Sequence, residues 1–338
     1  SIEYSIKALP RCNPVSICGY HIRESGATPS QEIACAFEIA KSYIENVKAR
    51  GIDTGDFVGR FSFNLNVFGN LWEQIGKFRA ARKLWARMLR DKYGIQDKKK
   101  LFLRGLFGGG GSGLTKEQPE NNIMRSAFYA LGAALSGAQT TALCSFDEAY
   151  TIPTPRAALL SLRTLEIIMD EVGLRDTVDP LAGSYFIETL TKQMEEKIQE
   201  EMTAIQQVGG MIHSVSSGYI QRKVAQQAYE YEKGLQRGEY VKIGLNKYTE
   251  DDTGGPDVAL HEHNEAWVEK QIKRLQELKN VRNNQAVKGT LKALEKGTRE
   301  GDNVMPLLVD CCREYATVGE MTSVLRDVFG EWQEPGIF

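Results

Sequence analysis

Four clusters of polar and small residues follow four short apolar runs in the first half of this sequence. Tyr20, His21, Arg23 and Glu24 end or follow the run PVSICGY (14–20). Asn64 and Asn66 close the run RFSFNLN (60–66), with Arg60 and Ser62 at its start. The run KLFLRGLF (100–107) opens into FGGGGSG (107–113), and QTTALC (139–144) ends at Cys144, just before Asp147 and Glu148. A neutral imidazole at His21 could donate a hydrogen bond to a carbonyl oxygen. A lone histidine is more often structural, but a place at a strand end favours function. The other three, His213, His261 and His263, fall in helical or loop context and read as surface residues. Phe146 to Ala149 (FDEA) also suits a helix start, where acids complement the dipole.

The glycine run admits three readings. Gly108, Gly110 and Gly113 formally satisfy G-x-G-x-x-G, the dinucleotide fingerprint. Against this, helical periodicity resumes only near Pro119, and the acid expected about 20 residues on is missing. A Walker A loop fails because Leu114 follows Gly113. The other readings are a flexible loop, and a loop stripped of side chains so that a bulky ligand fits.

The elements that must position these clusters alternate. Pro29–Val47 has apolar residues at three- and four-residue spacing, with Thr28 as N-cap and Pro29 at the first helical position. Further helices are expected at 71–93, 119–135 and 155–172. Strands followed by helices at intervals of roughly 40 residues imply a parallel sheet. Such a sheet binds ligands at the carboxyl ends of its strands, so the four clusters share one mouth. TVDP (177–180) is a candidate further strand. The second half is mainly helical, at 184–208, 219–236, 264–282, 284–299, 304–315 and 318–329. VKIGLN (241–246) reads as a lone strand and DDTGGP (251–256) as a polar linker. Pattern alone leaves open whether the sheet is half of an eight-stranded barrel or an open doubly wound sheet.

The chain has 338 residues and a formal net charge of -2, so no basic surface argues for nucleic acid. No apolar run reaches bilayer-spanning length, and no membrane association is expected. The first residue is Ser1, so an upstream segment may be missing from it on this reading. Six cysteines lack zinc-site spacing; they read as reduced thiols in a cytoplasmic protein, and no metal ligand set is assigned. Cys311 and Cys312 read as helix thiols.

Ordered segments across nearly the whole chain resemble the methylmalonyl-CoA mutase family. They include NPVSICGYHIRESGA (13–27), RFSF (60–63), KFRAARKLWA (77–86), NNIMR (121–125) and GAQT (137–140). FDEA (146–149), VDPLAGSY (178–185), IGLNKY (243–248) and ATVGEM (316–321) continue the match. The resemblance implies an α/β fold: the later strands of a (β/α)8 TIM barrel over residues 1–183, then a mainly helical extension over 184–338. It implies an isomerase that rearranges an acyl-CoA carbon skeleton by a radical begun by adenosylcobalamin. Acyl-CoA is then expected along the barrel axis. Tyr20 and His21 are implied catalytic residues, His21 bonding the thioester carbonyl. Arg60, Ser62, Asn64, Gln139, Thr140, Phe107 and Gly108 are implied on substrate or CoA. Glu24, Gly111, Cys144 and Glu148 are implied on the cofactor, Glu148 at the adenosyl ribose.

The sequence also departs from the family. Gly108 and Ser112 stand where members usually carry Gln and Trp, Cys144 where they carry Asn, Ala142 where they carry His, and Asn64 where they carry Phe. These changes point away from methylmalonyl-CoA toward a bulkier acyl group. The cobalamin-ligand signature D-x-H-x-x-G does not occur in the chain. A separate cobalamin-binding subunit and a chain or segment supplying the early barrel strands are therefore expected, the chain being a fragment or one piece of a split subunit. The alternatives are a nucleotide-dependent oxidoreductase using the glycine run and a non-catalytic scaffold subunit.

Overall fold

The computed structural model describes residues 1–250 and 258–336. The expected linker 251–256 lies outside the described residues. Contacts divide the chain into two compact units, one of residues 13–261 with the last few residues, the other of 1–12 with 262–334.

The larger unit is built on a parallel four-stranded sheet, β1 (Ser16–Cys18), β2 (Ser62–Val67), β3 (Gly105–Gly109) and β4 (Thr141–Ala142), in chain order. Helices α3 (Pro29–Ala49), α4 (Leu71–Tyr93) and α5 (Asn121–Leu135) connect the strands, after the one-turn helix α2 (Tyr20–Glu24). α3 and α4 begin where the sequence says, whereas α5, expected from 119, starts at Asn121 and α2 was not expected. Thr28 forms a capping box with Gln31, Asn70 caps α4, and Gly94 ends α4 in the left-handed conformation. The strands are shifted. β3 starts at Gly105, not at 100, because Lys98–Lys100 form a 3-10 turn capped by Asp97. A similar turn, Val58–Arg60, delays β2 to Ser62.

Alternation gives the sheet two unlike faces. Ile17, Phe63 and Phe107 point toward the helices, where Phe63 and Phe37 pack on Trp85 and Phe107 stacks on Phe78 at 4.3 Å. The other face carries Ser16, Cys18, Ser62, Asn64, Asn66, Leu106, Gly108 and Ala142 in register. All but Leu106 are small or polar; Tyr20 and Glu24 of α2 close over Gly108 and the buried Asn66, and the other positions stay at least partly accessible among the described residues.

One ion pair is sealed in the helical layer. Lys77 of α4 and Glu32 of α3 are both fully inaccessible, 2.8 Å apart. Glu32 also accepts from the Asn66 backbone N–H at 2.6 Å, and Lys77 donates to the Asn66 carbonyl at 2.5 Å. Both Asn66 groups lie beyond the last residue of β1, so the pair replaces the strand that stops at Cys18.

Helices α6 (Pro155–Asp170), α7 (Tyr185–Gln207), α8 (Gly210–Ser216) and α9 (Tyr219–Gln236) complete this unit. α7 packs on α3 and α4, so the helices after residue 184 begin as a second layer on the sheet. Two expected strands do not form. TVDP is a turn with Asp179 at φ 49°, and Asp179 pairs with Arg79. VKIGLN is a turn with one isolated bridge, Ile243 to Lys247.

The smaller unit joins α1 (Ile2–Ala8) to α10 (Glu265–Val281), α11 (Asn284–Glu300), α12 (Val304–Arg313) and α13 (Val318–Phe329). Val287, Leu294, Cys311, Ala316 and Met321 form its core. Thr317 and Glu320 form a capping box on α13, and Glu320 accepts from both Arg282 guanidinium nitrogens at 2.8 and 2.6 Å.

Two stability outcomes follow. The Arg282 hydrogen bonds, ahead of the Thr317 ones, hold the Glu320 carboxyl down at about 2. A depressed carboxylate stabilises above its unfolded value and loses that stabilisation as pH falls through its folded one. Glu320→Gln is expected to lower stability at neutral pH by on the order of 1 kcal/mol. It should also flatten the acid side of the stability profile between pH 4.5 and about 2, read by urea titrations across pH. Lys77→Met leaves Glu32 buried without its cation and is expected to cost about 3–5 kcal/mol. Adding Glu32→Gln, which keeps an acceptor for the Asn66 N–H, should recover most of that loss in the same titrations.

Candidate functional site

The tight passage from β1 into α2 sets the site. A Cβ on Gly19 would sit 2.9 Å from Leu65 and 3.1 Å from the Glu32 Cγ, so only glycine permits the turn. Tyr20, His21 and Glu24 then fall on one helical turn at the carboxyl end of the sheet.

Glu24 is the most constrained of them. One carboxylate oxygen, Oε1, accepts from Asn66 Nδ2 and from Ser112 Oγ at 3.0 Å, and the other accepts from the Ser112 backbone N–H at 2.9 Å. Asn66 is itself held through its backbone by the buried pair, so the pair fixes Glu24 at one remove. The glycines make room for this. A Cβ on Gly110 would meet Asn66, Glu24 and Phe68, and one on Gly111 would lie 3.4 Å from Glu148 Cγ and 3.5 Å from Glu24 Oε2. Gly111 is thus flanked by two carboxylates. Burial, then the charge of Asp147, pushes the Glu148 carboxyl up. Asp147 is buried and accepts from Ser145 at 2.5 Å and from the Thr154 N–H at 3.2 Å; FDEA is an anchored turn and not a helix start.

Tyr20 spans the mouth. Its hydroxyl donates to the Gly109 carbonyl at 3.5 Å and meets Cys144 Sγ at 3.7 Å, while its ring lies 3.4 Å from the place of a Cβ on Gly108. Burial raises the Tyr20 phenol, with Cys144 and Glu24 adding to it, so it stays a neutral donor. Burial, then Glu148, pushes the Cys144 thiol up to about 11. Cys144 donates to the Gly109 carbonyl at 3.2 Å. His21 is exposed, its ring edge-on to Tyr20 at 5.9 Å.

The sequence candidates separate into two groups. Tyr20, His21, Glu24, Gly108, Gly111, Cys144 and Glu148 gather at the carboxyl ends of the strands. Arg60, Ser62, Gln139 and Thr140 precede or begin β2 and β4, at the opposite end. There Ser62 Oγ donates to the Val15 carbonyl at 3.3 Å, Arg60 reaches the Asp56 carbonyl at 3.5 Å, and Gln139 and Thr140 are exposed. Asn64 lies between the groups on the open face, its Oδ1 buried and without a hydrogen-bond partner. Phe107 is corrected: it stacks on Phe78 in the helical layer, and its neighbour Leu106 faces the open side.

Three participants were not assigned from sequence. Asn66 and Ser112 hold Glu24, and Lys242 donates to the Ser112 carbonyl at 2.9 Å. Burial, then Arg125, pushes the Lys242 ammonium down. Arg125 in turn donates to the Ile243 carbonyl at 2.6 Å, so the VKIGLN turn (241–246) is tied to the glycine loop through Lys242 and to α5 through Ile243. That segment was the available signal, though not as a strand. The dinucleotide reading of the glycines finds no support: Gly111–Gly113 is a 3-10 turn, and the next helix opens only at Asn121.

A family model described as methylmalonyl-CoA mutase matches residues 1–331. The chain is 36% identical over 332 residues to the methylmalonyl-CoA mutase of Rhizobium meliloti, covering 98% of this chain and 46% of that protein. It is 33% identical over 338 residues to the 2-hydroxyisobutanoyl-CoA mutase large subunit of Aquincola tertiaricarbonis, covering 100% of this chain and 60% of the relative. The mitochondrial methylmalonyl-CoA mutase of Homo sapiens is 33% identical over 330 residues, covering 97% and 44%. The chain thus spans about half the length of the curated relatives it matches. With the family match running almost end to end, the chain belongs to the methylmalonyl-CoA mutase family.

Proposed function

We propose that this chain is part of an adenosylcobalamin-dependent acyl-CoA mutase and supplies the later half of its (β/α)8 barrel. The observation that carries the reading is the distribution of the candidate residues along one face of the sheet. The CoA candidates Arg60, Ser62, Gln139 and Thr140 lie toward its amino end, and the cofactor candidates together with Gly108 lie at its carboxyl end, separated by β2 of six residues. At about 3.3 Å per residue a ligand joining them must be extended along the strands, as an acyl-pantetheine chain is. Asn64 lies midway, its buried amide oxygen without a hydrogen-bond partner. The edges β1 and β4 and the partly accessible face support the view that further strands, on another chain or segment, close the barrel.

The residues suit the adenosyl end of the cofactor. Carboxylates on both sides of Gly111 are acceptors for a vicinal diol, and the absent side chain leaves room for a sugar. Glu24 and Glu148 would hold that sugar, with Gly111 and Cys144 beside them in the site. When bound, the cofactor supplies the radical chemistry of the rearrangement. The Aquincola relative is named as a large subunit, and we extend that arrangement here: a separate subunit holds the corrin. His21 donates a hydrogen bond to the thioester carbonyl, and Tyr20, neutral and wedged against Gly108, walls the acyl group from water.

The acyl group is bulkier than methylmalonyl on this reading. A Cβ on Gly108 would meet only the Tyr20 ring within 4 Å, so space opens beside the strand. A void that size is costly when empty and is best filled by ligand.

The test is the reconstituted complex, supplied with adenosylcobalamin and a panel of branched, hydroxylated, long-chain and aromatic acyl-CoAs, with isomerised product separated by chromatography. Turnover of at least one is expected; binding of acyl-CoA with no isomerisation across the panel would favour the scaffold reading. His21→Ala should slow turnover roughly ten- to a thousandfold, as for loss of one such donor. Gly108→Gln should depress turnover of the bulky substrate while CoA affinity is kept. Equal turnover by the parent and Gly108→Gln would return the glycine to a loop role.

A further inference from the structure

The His21 ring has one hydrogen-bond partner among the described residues. Its Nδ1 lies 3.6 Å from Cys18 Sγ, and Nε2 makes no hydrogen bond to the described residues. The arrangement is built by the fold. Cys18 is the last residue of β1, paired in register with Asn64 on the open face, and the chain turns at once through Gly19 into α2. The close packing of Gly19 on Leu65 and Glu32 keeps the turn tight, so that the side chain three residues on returns over the strand end. The main chain of His21 is pinned as well, its carbonyl accepting from the Ser25 N–H at 3.0 Å and the Ser25 Oγ at 2.8 Å. The Tyr20 ring stands edge-on beside the imidazole. Both partners of the sulfur–nitrogen contact are therefore held by backbone that has little freedom.

Which nitrogen of a neutral histidine carries the proton is set by the hydrogen bond made by the other. A thiol and an imidazole can bond in two directions, and these are unequal. The imidazole lone pair is a good acceptor, whereas a thiol sulfur accepts only weakly. The favoured bond runs from S–H to Nδ1.

We propose that Cys18 is a positioning residue that fixes the tautomer of His21, its thiol donating to Nδ1 so that the ring proton resides on Nε2. This deepens the proposed role of His21 and rests on it for its consequence. A donor to a thioester carbonyl must carry its proton on the nitrogen that faces the ligand, and Nε2 is the nitrogen left open. Without Cys18 the proton is divided between both nitrogens, and the fraction of donor-ready enzyme falls. A carboxylate at position 18 would demand a proton on Nδ1 and strip Nε2 of it.

The experiment uses the full chain with ¹⁵N-labelled imidazole rings, read by two-bond proton–nitrogen correlation above the pH of ring titration. His21→Gln identifies the His21 signals among the four histidines. The parent and Cys18→Ser are expected to show the Nε2–H pattern, and Cys18→Asp the Nδ1–H pattern. In the reconstituted complex Cys18→Ser should keep most turnover, while Cys18→Asp should lose roughly ten- to a thousandfold, approaching His21→Ala. Thiol methylation of the parent offers a second route that needs no substitution: it removes the donor and should mix the two tautomers. An Nδ1–H pattern or a doubly protonated ring in the parent overturns the proposal. So does a pattern indifferent to both Cys18→Asp and methylation. A pattern that reverses in Cys18→Asp while turnover is unchanged upholds the tautomer assignment and instead defeats the reading of His21 as the carbonyl donor.

Discussion

A lysine and a glutamate taken wholly out of water lose several kcal/mol of hydration each, and their mutual attraction offsets this only when every remaining donor and acceptor is met. Lys77 and Glu32 each find a further partner, beyond each other, on the backbone of Asn66. The N–H and carbonyl they bind are those that a longer β1 would have taken. β1 can therefore stop at Cys18, and the chain is released into α2 at the height where Tyr20, His21 and Glu24 reach the mouth. With its main chain gripped, Asn66 presents its amide to Glu24, and Glu24 gathers the Ser112 end of the glycine loop. Charge in the helical layer is thus converted into placement on the ligand face through three side chains and one stretch of strand.

The same dependence explains how much of the molecule was legible beforehand. Helices α3, α4, α6 and α7 announce themselves through Thr28, Asn70, Thr154 and Ser184, each of which accepts from its own helix, so their starts follow from local chemistry. Strands have no such local terminator. Where β2 begins and β1 ends depends on 3-10 turns and on a distant ion pair, neither of which has a period. TVDP and VKIGLN read as strands but have no strand beside them; Asp179 turns toward Arg79, and Asn246 spends its amide on the carbonyls of Leu235 in α9 and of Tyr240.

In the site, residue types at strand ends were legible because a parallel sheet collects them at one end. The face on which each side chain lies was less so. In LFGGGG the alternation is silent, since glycine has no side to take. Phe107 was read as lining and Leu106 is the residue on that face. Lys77 looked like one more cation on a charged helix because its partner is 45 positions away in sequence. Nothing in the local pattern distinguishes it from Lys83, which stays half-exposed.

The two carboxylates at Gly111 are unequal in a way that bears on what they can hold. Glu24 accepts three hydrogen bonds from protein and its position is decided before any ligand arrives. Glu148 has no such set of donors; it is exposed at its edge and its carboxyl is pushed up by burial and by Asp147. On the proposed function, a ligand with two hydroxyl groups would meet a fixed acceptor on one side and an adaptable one on the other. Free energy gained at Glu148 would then be realised only when the ligand is seated, whereas Glu24, already ordered by its three donors, would supply register without that cost.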